Sequence, residues 1–294
     1  MKNVINYYYN LYPENIYQKE EEYYFFINNI RYTFIEYKED IKEIDKIYNT
    51  HLSLLMNSVY VHPIILNKDN HPITIINKVP YILMQTVYYE GKINIKSLIA
   101  FSNIEANISK ETTWEELWKN KNDYIEYQIT LLKNNYKILK NSINYYLGLG
   151  ENAIELLNIT SPKNIKMYYS HKRIDKNSTV FDLYNPLNII IDTKVRDVSE
   201  YLKDNFFSGI NIEKDLEYFL KTTNLNIEEH ILFLARMLYP TYYFDLFEKI
   251  IKKEKAEKKI LDIIKKVDEY ESIIKKLYNY YKTFINIPII EWLE

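Results

Sequence analysis

Residues 185–203 read NPLNIIIDTKVRDVSEYLK. The apolar run at 189–191 predicts a short buried strand, which would present the carboxylate of Asp192 at its end. A phosphotransferase needs such a carboxylate for Mg²⁺, together with an Asn and with an Asp beside the acceptor hydroxyl. The spacing fits a structural alternative equally well, in which Asp192 caps a turn and Arg196 pairs with Asp197.

The segment just before this stretch is the most chemically diverse part of the chain. Residues 168–175 read YYSHKRID and place one imidazole, two cations and one carboxylate within five positions. Residues 165–192 as a whole are expected to be irregular and β-like. The pattern after Asp197 is helical to the end of the chain.

The first 90 residues have a different pattern, typical of a small α+β unit. Aromatic and β-branched residues at 23–26 and 30–37 flank Asn28-Asn29, which predicts a β-hairpin. Apolar spacing predicts a helix over 41–56. Further short strands are expected at 63–66, 73–76 and 81–84. The sequence therefore predicts a β-rich N-terminal lobe over 1–88 and a helical C-terminal lobe over 89–294.

Two glycines lie within the helical part. Thr113–Glu116 reads as a capping box that begins a long helix to Leu147. Gly148 and Gly150 are then expected to mark a bend before a second helix, Glu151–Leu157. Their spacing also matches the dinucleotide-binding fingerprint, but that motif needs a preceding strand, and a helix precedes it here.

Composition excludes several function classes. The four glycines form no P-loop, and the absence of cysteine rules out disulfides, thiolate metal sites and cysteine nucleophiles. A net charge of −2 argues against a dedicated nucleic-acid binder. No apolar run approaches the length of a membrane span, and residues 1–7 do not resemble a signal peptide. We therefore expect a cytoplasmic protein with no nucleic-acid partner.

The two-part pattern resembles the protein-kinase-like fold, in which a small β-rich N-lobe precedes a larger helical C-lobe in a two-lobed α+β architecture. Within that fold the chain is similar to the aminoglycoside/choline phosphotransferase superfamily, and more narrowly to spore-coat kinase-like proteins of the CotS and YutH type. The resemblance lies in residues 117–128, 170–174, 185–203 and 234–245. It implies ATP and Mg²⁺ as cofactors, a small-molecule or protein partner, and an association with spore coat proteins.

The resemblance also implies roles for individual residues. The superfamily's catalytic loop reads His-Gly-Asp, and His171 takes the place of its His. Lys172 replaces the Gly, and Arg173 stands where the catalytic Asp belongs. An Arg keeps its charge at any working pH, so it cannot accept a hydroxyl proton. Asp192 matches the metal-binding Asp, and Asp197 matches a later Asp that anchors the following helix.

Other parts of the expected site are altered or weakly matched. Asn177 or Asn188 is the candidate for the metal-binding Asn, although the spacing is irregular. Lys38 is the nearest candidate for the strand lysine that binds phosphates. No glycine lies among residues 1–90, so a flexible cover over the phosphates is missing.

Three functions remain open from the sequence. The first is a kinase-like protein that has lost phosphoryl transfer and works as a binding or scaffold protein, with a role in spore coat assembly. The second is an active phosphotransferase in which Asp175 or Asp182 replaces Arg173 as the base. The third is a helical interaction protein unrelated to kinases, in which residues 20–85 form no sheet.

Overall fold

The computed structural model of the chain describes residues 1–19, 21–106, 114–132, 136–159 and 165–294. The chain divides into two compact units. Unit 1 comprises Met1–Ile93 and Asn177–Ile189, and unit 2 comprises Asn94–Lys176 and Ile190–Glu294. The boundary expected between residues 88 and 89 stays a prediction for the two lobes.

Unit 1 is built around an antiparallel sheet. Its elements are α1 (Lys2–Tyr9), β1 (Tyr17–Lys19), β2 (Glu22–Ile27), β3 (Ile30–Glu36), α2 (Ile44–Met56), β4 (Ile64–Ile65), β5 (Ile73–Ile76), β6 (Val79–Thr86) and α6 (Val180–Tyr184). The strands lie in the order β1-β2-β3-β6-β4, and β5 also pairs with β6. The expected hairpin, helix and short strands are confirmed. The third alternative, which required that residues 20–85 form no sheet, is wrong.

The β2–β3 hairpin has the two-residue turn that its sequence predicts. Ile27 pairs with Ile30, so Asn28 and Asn29 form the turn. Their φ angles are 51° and 63°, the left-handed backbone of a type I′ turn. Asparagine tolerates this conformation better than most residues. Five of the eight non-glycine residues with positive φ in the described part of the chain are asparagines.

The sheet of unit 1 has an apolar layer on each face. Leu83 and its two neighbours on β6 point to opposite faces, as successive residues of a strand do. On the face of Leu83, α1 packs against β2 and β3 through Ile5, Tyr9, Phe25 and Phe34. On the other face, α2 covers the sheet through Ile44, Ile47, Ile64, Ile73, Ile82 and Met84.

Unit 2 is largely helical. Its elements are α3 (Ile95–Ser102), α4 (Trp114–Leu131), α5 (Lys137–Asn158), β7 (Tyr168–His171), α7 (Arg196–Phe207), α8 (Glu213–Thr222), α9 (Ile227–Leu238), α10 (Thr241–Ile251), α11 (Ile260–Ile264) and α12 (Val267–Lys282). Strand β8 (Ile189–Asp192) begins at the last residue of unit 1 and pairs with β7. One unit built on a sheet and a second, larger unit that is mostly helical confirm the expected α+β fold class.

Helix α9 is the central element of unit 2. All residues from Ile231 to Leu238 are buried, and the helix contacts α5, α7 and α12. Because α9 is surrounded, its single arginine, Arg236, is also buried. No helix that the structure describes combines the length and the apolar composition that crossing a bilayer requires.

The prediction of a bend at Gly148 and Gly150 is wrong. Helix α5 begins at Lys137 and continues through both positions to Asn158. A Cβ atom on Gly150 would lie 2.7 Å from Nδ2 of Asn122 on α4, whereas one on Gly148 would meet nothing within 4 Å. Gly150 therefore permits the close approach of two helices, which sequence periodicity does not reveal.

The part after Asp197, expected to be helical to the end of the chain, is divided into several helices; α11, for example, ends at Ile264 and α12 begins at Val267. The capping box predicted at Thr113 lies outside the described residues.

Candidate functional site

The ends of β7 and β8 carry the two central residues of the expected site. Strand β7 ends at His171, and strand β8 ends at Asp192. Arg196, the first residue of α7, connects them. Its Nη1 donates to Asp192 Oδ2 at 2.8 Å, and its Nε donates to the carbonyl oxygen of His171 at 3.2 Å. The structure therefore brings these two residues together.

The carboxylate of Asp192 is buried and holds an arginine on each oxygen. Oδ2 accepts from Arg196, and Oδ1 accepts from Nη2 of Arg236 at 2.6 Å. The backbone N–H of Thr193 also donates to Oδ1, at 2.7 Å. Burial alone would raise the pKa of Asp192, but Arg236 and Arg196 hold that pKa below its ordinary value. The carboxylate is therefore ionised and bound by charge-assisted hydrogen bonds.

His171 is held by Asp197. Oδ1 of Asp197 accepts from the backbone N–H of His171 at 3.0 Å, and Oδ2 lies 2.7 Å from the ring Nδ1. The ring also packs on Phe101, with the centroids 4.6 Å apart, and the His171 side chain is fully buried. Asp197 thus anchors the start of α7 to the end of β7. The Arg196–Asp197 ion pair suggested by spacing is wrong, because each side chain has the partner just described.

A second ion pair, in which the lysine is buried and the glutamate is half-buried, supports the same region. Nζ of Lys203 lies 2.8 Å from Oε1 of Glu200, and Oε2 of Glu200 accepts from the hydroxyl of Thr241 at 2.7 Å. Lys203 also donates to the carbonyl oxygens of Arg236 at 2.7 Å and Tyr239 at 3.1 Å, at the end of α9. A cation is favourable at a helix C-terminus. Lys203 therefore fixes the end of the helix that carries Arg236.

Arg173 and Asp175 lie at the surface of unit 2. The Arg173 side chain is 60% exposed; its Nη2 donates to Asp245 Oδ2 at 3.1 Å, and its Nε lies 3.9 Å from Asp175 Oδ2. Burial raises the pKa of Asp245, and the nearby Arg173 partly opposes that rise. At the position where the resemblance expects a carboxylate, the structure therefore places an exposed cation between two carboxylates.

A cavity of about 640 Å³ lies beside these residues, entirely within unit 2. Its lining includes His171, Arg173, Asp175, Arg196 and Arg236. Asp192 is not part of the lining, because Arg196 and Arg236 bind both of its oxygens. A ligand in this cavity would lie against residues 171–176.

Two of the sequence candidates, Lys38 and Asn188, belong to unit 1. Lys38 follows β3, is 58% exposed and pairs with Glu21. That ion pair raises the pKa of Lys38. Nδ2 of Asn188 donates to the carbonyl oxygen of Asp182 at 3.4 Å. Their roles in nucleotide binding stay predictions.

The residues around Asp192 do not fit a magnesium ion as they stand. Mg²⁺ requires near-octahedral oxygen ligands and repels neighbouring cations. Asp192 is already bound by two guanidinium groups. Among the described residues, no group of three or more His, Cys, Asp or Glu side chains could hold a metal ion.

Sequence reasoning assigned no role to Arg236. The residue lies in a run that reads ILFLARML, where a single cation interrupts seven apolar residues. Such a cation on a helix expected to be buried needs a buried anion as partner. That reasoning could have paired Arg236 with an acidic residue, but not with Asp192 in particular.

Comparison with known sequences gives two matches. The family model described as "Spore coat putative kinase YutH" matches residues 2–277 of this chain. The endospore coat-associated protein YutH of Bacillus subtilis (strain 168) is 23% identical over 209 residues. That match covers 61% of this chain and 61% of the curated relative, so the chain spans about three fifths of that relative's length.

Comparison with solved structures gives the same fold at low sequence identity. An aminoglycoside phosphotransferase from Alicyclobacillus acidocaldarius has a TM-score of 0.73 and 10% identity, with 94% of this chain and 95% of that chain covered. A spectinomycin phosphotransferase in complex with ADP and spectinomycin has a TM-score of 0.59 and 12% identity, with 97% and 93% covered. An amicoumacin kinase in complex with AMP-PNP and Ca²⁺ has a TM-score of 0.53 and 11% identity, with 99% and 94% covered. At these identities the likeness concerns the fold.

Proposed function

The chain belongs to the spore coat putative kinase YutH family, and from this premise we propose that it has lost phosphoryl transfer and acts as a binding or scaffold protein in the spore coat. The kinase-like fold would then serve to position a ligand or a partner. The spore coat role comes from the family and from the Bacillus subtilis relative.

The observation that carries the proposal is the occupation of Asp192. A metal-binding carboxylate must offer at least one oxygen to the cation. At Asp192 each oxygen accepts from an arginine, at 2.8 Å and 2.6 Å. To bind Mg²⁺ there, the chain would have to displace a buried guanidinium and leave it without its anion, which is strongly unfavourable.

Arg173 supports the same proposal through its charge. Phosphoryl transfer to a hydroxyl uses an Asp beside the acceptor. Arg173 stands at that position in the sequence, and it donates to Asp245 instead of accepting a proton. The loss of the carboxylate and the gain of a cation together change the formal charge there by two.

The experiment is a thermal-shift series with ATP, with and without Mg²⁺, alongside an assay of phosphate release. A ligand at roughly 100 times its Kd stabilises the native state by about 2.7 kcal/mol. We expect no Mg²⁺-dependent shift and no phosphate release. The control is Asp262→Asn, which removes an exposed carboxylate that is distant in sequence from Asp192. A Mg²⁺-dependent shift that is lost in Asp192→Asn and kept in the control would refute the proposal.

A second candidate is an active phosphotransferase that uses Asp175 as a displaced base. The observation in its favour is that Asp175 lines the same cavity as His171 and Arg173. Asp182 is a poorer base, because its Oδ2 accepts from the N–H and the hydroxyl of Thr179, as the cap of α6. Phosphate release that disappears in Asp175→Asn would establish this candidate.

The coat association has its own test. A fusion of the chain to a fluorescent protein is expressed in a spore-forming Bacillus host that lacks its own YutH protein. We expect fluorescence at the spore surface and recovery of the fusion in the extracted coat fraction. Fluorescence that stays in the mother cell would contradict the coat role and leave the question of catalysis untouched.

A further inference from the structure

We propose that the cavity of unit 2 beside residues 171–176 binds a phosphate group, carried by a free phosphomonoester or by a phosphorylated side chain of a partner. The proposal rests on the proposed function, because it names the ligand class of that binding protein.

The charge of the cavity wall favours an anion. Eight lysine and arginine side chains line the cavity, against five aspartate and glutamate side chains. The whole chain has the opposite balance, with a net charge of −2. Cations gathered around a concave, partly enclosed space concentrate their field there and attract anions.

Most of the acidic side chains in the wall are already bound. Asp197 holds His171, Glu200 holds Lys203, and Asp245 accepts from Arg173. One oxygen of Asp204 accepts from the backbone N–H of Lys176. Two of these contacts also neutralise cations of the wall, Arg173 and Lys203, so the excess of positive charge comes from the other lysines and arginines that line the cavity.

Three lysines of the wall keep their charge available. Lys176 is the last residue of the segment 171–176, Lys249 lies on α10, and Lys255 follows that helix. None of the three forms an ion pair with any residue that the structure describes. They come from two separate stretches of the chain, and together they can provide the ammonium donors that phosphate oxygens accept.

The wall also contains a buried guanidinium with unused donor capacity. Arg236 is 4% exposed and lines the cavity, and its Nε has no hydrogen-bond partner within the described ranges. The ring of Trp118, another residue of the wall, lies 5.9 Å from its guanidinium carbon. An additional anion nearby would lower the electrostatic free energy of the buried charge. Arg196, 26% exposed, supplies a second guanidinium to the wall.

The size of the cavity fits this class of ligand. A volume of about 640 Å³ is ample for a phosphate group together with the group that carries it. Phosphate is favoured over carboxylate because it has three acceptor oxygens and nearly two charges, which match several cationic donors at once.

The test measures binding by isothermal titration calorimetry with four probes. These are inorganic phosphate and three peptides of one neutral sequence, whose central residue is phosphoserine, serine or glutamate. The variant is Lys249→Gln with Lys255→Gln. The matched control is Lys252→Gln with Lys258→Gln, which removes the same charge from exposed lysines outside the cavity wall.

We expect the phosphoserine peptide or inorganic phosphate to bind, with the serine and glutamate peptides much weaker. Kd should rise roughly tenfold in the cavity variant and little in the control. Tighter binding of the phosphoserine peptide than of phosphate identifies a phosphorylated partner, and equal binding identifies a free phosphate ligand. The proposal is overturned if neither phosphate probe binds, if the glutamate peptide binds equally well, or if both double variants lose the same affinity.

The same protein preparation is assayed for phosphate release from ATP. Release together with phosphate binding would refute the loss of catalysis and leave the phosphate site standing. No release and no binding would refute the phosphate site and leave the proposed function standing. The two proposals can therefore fail separately.

Discussion

The two units bury histidine in opposite ways. In unit 1, His62 is fully buried; its Nδ1 lies 3.1 Å from the hydroxyl of Tyr60 and its Nε2 lies 3.2 Å from the carbonyl oxygen of Phe181. In unit 2, His171 is equally buried but lies against the carboxylate of Asp197. The first ring has only neutral partners, and the second has an anion.

This contrast extends to the other polar groups of each unit. Burial lowers the pKa of His51 and of His62 to about 4, so both are neutral near pH 7. Unit 2 instead buries full charges: it pairs Asp192 with Arg236, and it buries Lys203 against the half-buried Glu200. Unit 1 therefore avoids buried charge, whereas unit 2 concentrates it around the cavity. Four of the buried charged residues, Asp192, Asp197, Lys203 and Arg236, belong to the candidate site.

The largest effect is expected from removing one buried charge of unit 2. Arg236→Leu leaves Asp192 buried with only one arginine, and the loss of a buried partner costs about 3–5 kcal/mol. Urea denaturation measures the change in the free energy of unfolding. The control is Lys221→Leu, which removes an exposed partner of Glu217 and should leave stability unchanged within error. If the two variants are equally stable, the charges of unit 2 are not coupled as described.

The next effect concerns the neutral histidines of unit 1. Their folded pKa of about 4 lies below the unfolded value of 6.5, so the unfolded state binds more protons between these two pH values. The stability contributed by the neutral rings is complete above pH about 6.5. It falls by about 1.4 kcal/mol per pH unit for each histidine as the pH drops toward 4.

Urea denaturation at a series of pH values from 7.5 to about 4.5 tests this expectation. His62→Gln should make the slope of stability against pH shallower. The control His71→Gln, at an exposed position, should leave the slope unchanged. An unaltered slope in His62→Gln would mean that His62 is not buried as a neutral ring.

The smallest effect is expected from a change in the packing of α4 against α5 in unit 2. Gly150→Ala places a methyl group 2.7 Å from the side-chain amide of the buried Asn122, so this side chain or helix α4 must shift, at a cost of roughly 1–3 kcal/mol. Gly148→Ala meets no atom within 4 Å and should stabilise the same helix by up to about 1 kcal/mol. Thermal denaturation of the two variants measures both changes. If both substitutions change the stability in the same direction, the close packing of α4 and α5 at Gly150 does not contribute to the stability of unit 2.

Local patterns in the sequence were enough to predict the hairpin, α2 and the later strands of unit 1, but not α1 or β1. The Asn28-Asn29 turn and the alternating strands around it follow from short-range rules, and they form as predicted. The strand ending in Asp192 follows from the same rules. These features depend on neighbours within a few positions.

The parts that could not be predicted depend on contacts between distant residues. The two arginines on Asp192 are 4 and 44 positions away from it, and no periodicity identifies the second one. Gly150 reads as a helix end until Asn122 of another helix is placed against it. The same holds for Lys249 and Lys255, which the sequence places among many lysines and the fold places in the wall of a cavity.

The left-handed asparagines have a consequence for the unfolded chain. Glycine is the usual residue at such turns, and it is the most disordered residue before folding. Asn10, Asn28, Asn29, Asn70 and Asn77 adopt the same backbone with a side chain attached. A residue with a side chain has fewer unfolded conformations to lose, and this smaller entropy loss offsets part of the strain that a Cβ atom meets in the left-handed region. A gene poor in glycine codons can in this way encode turns with a smaller entropic penalty.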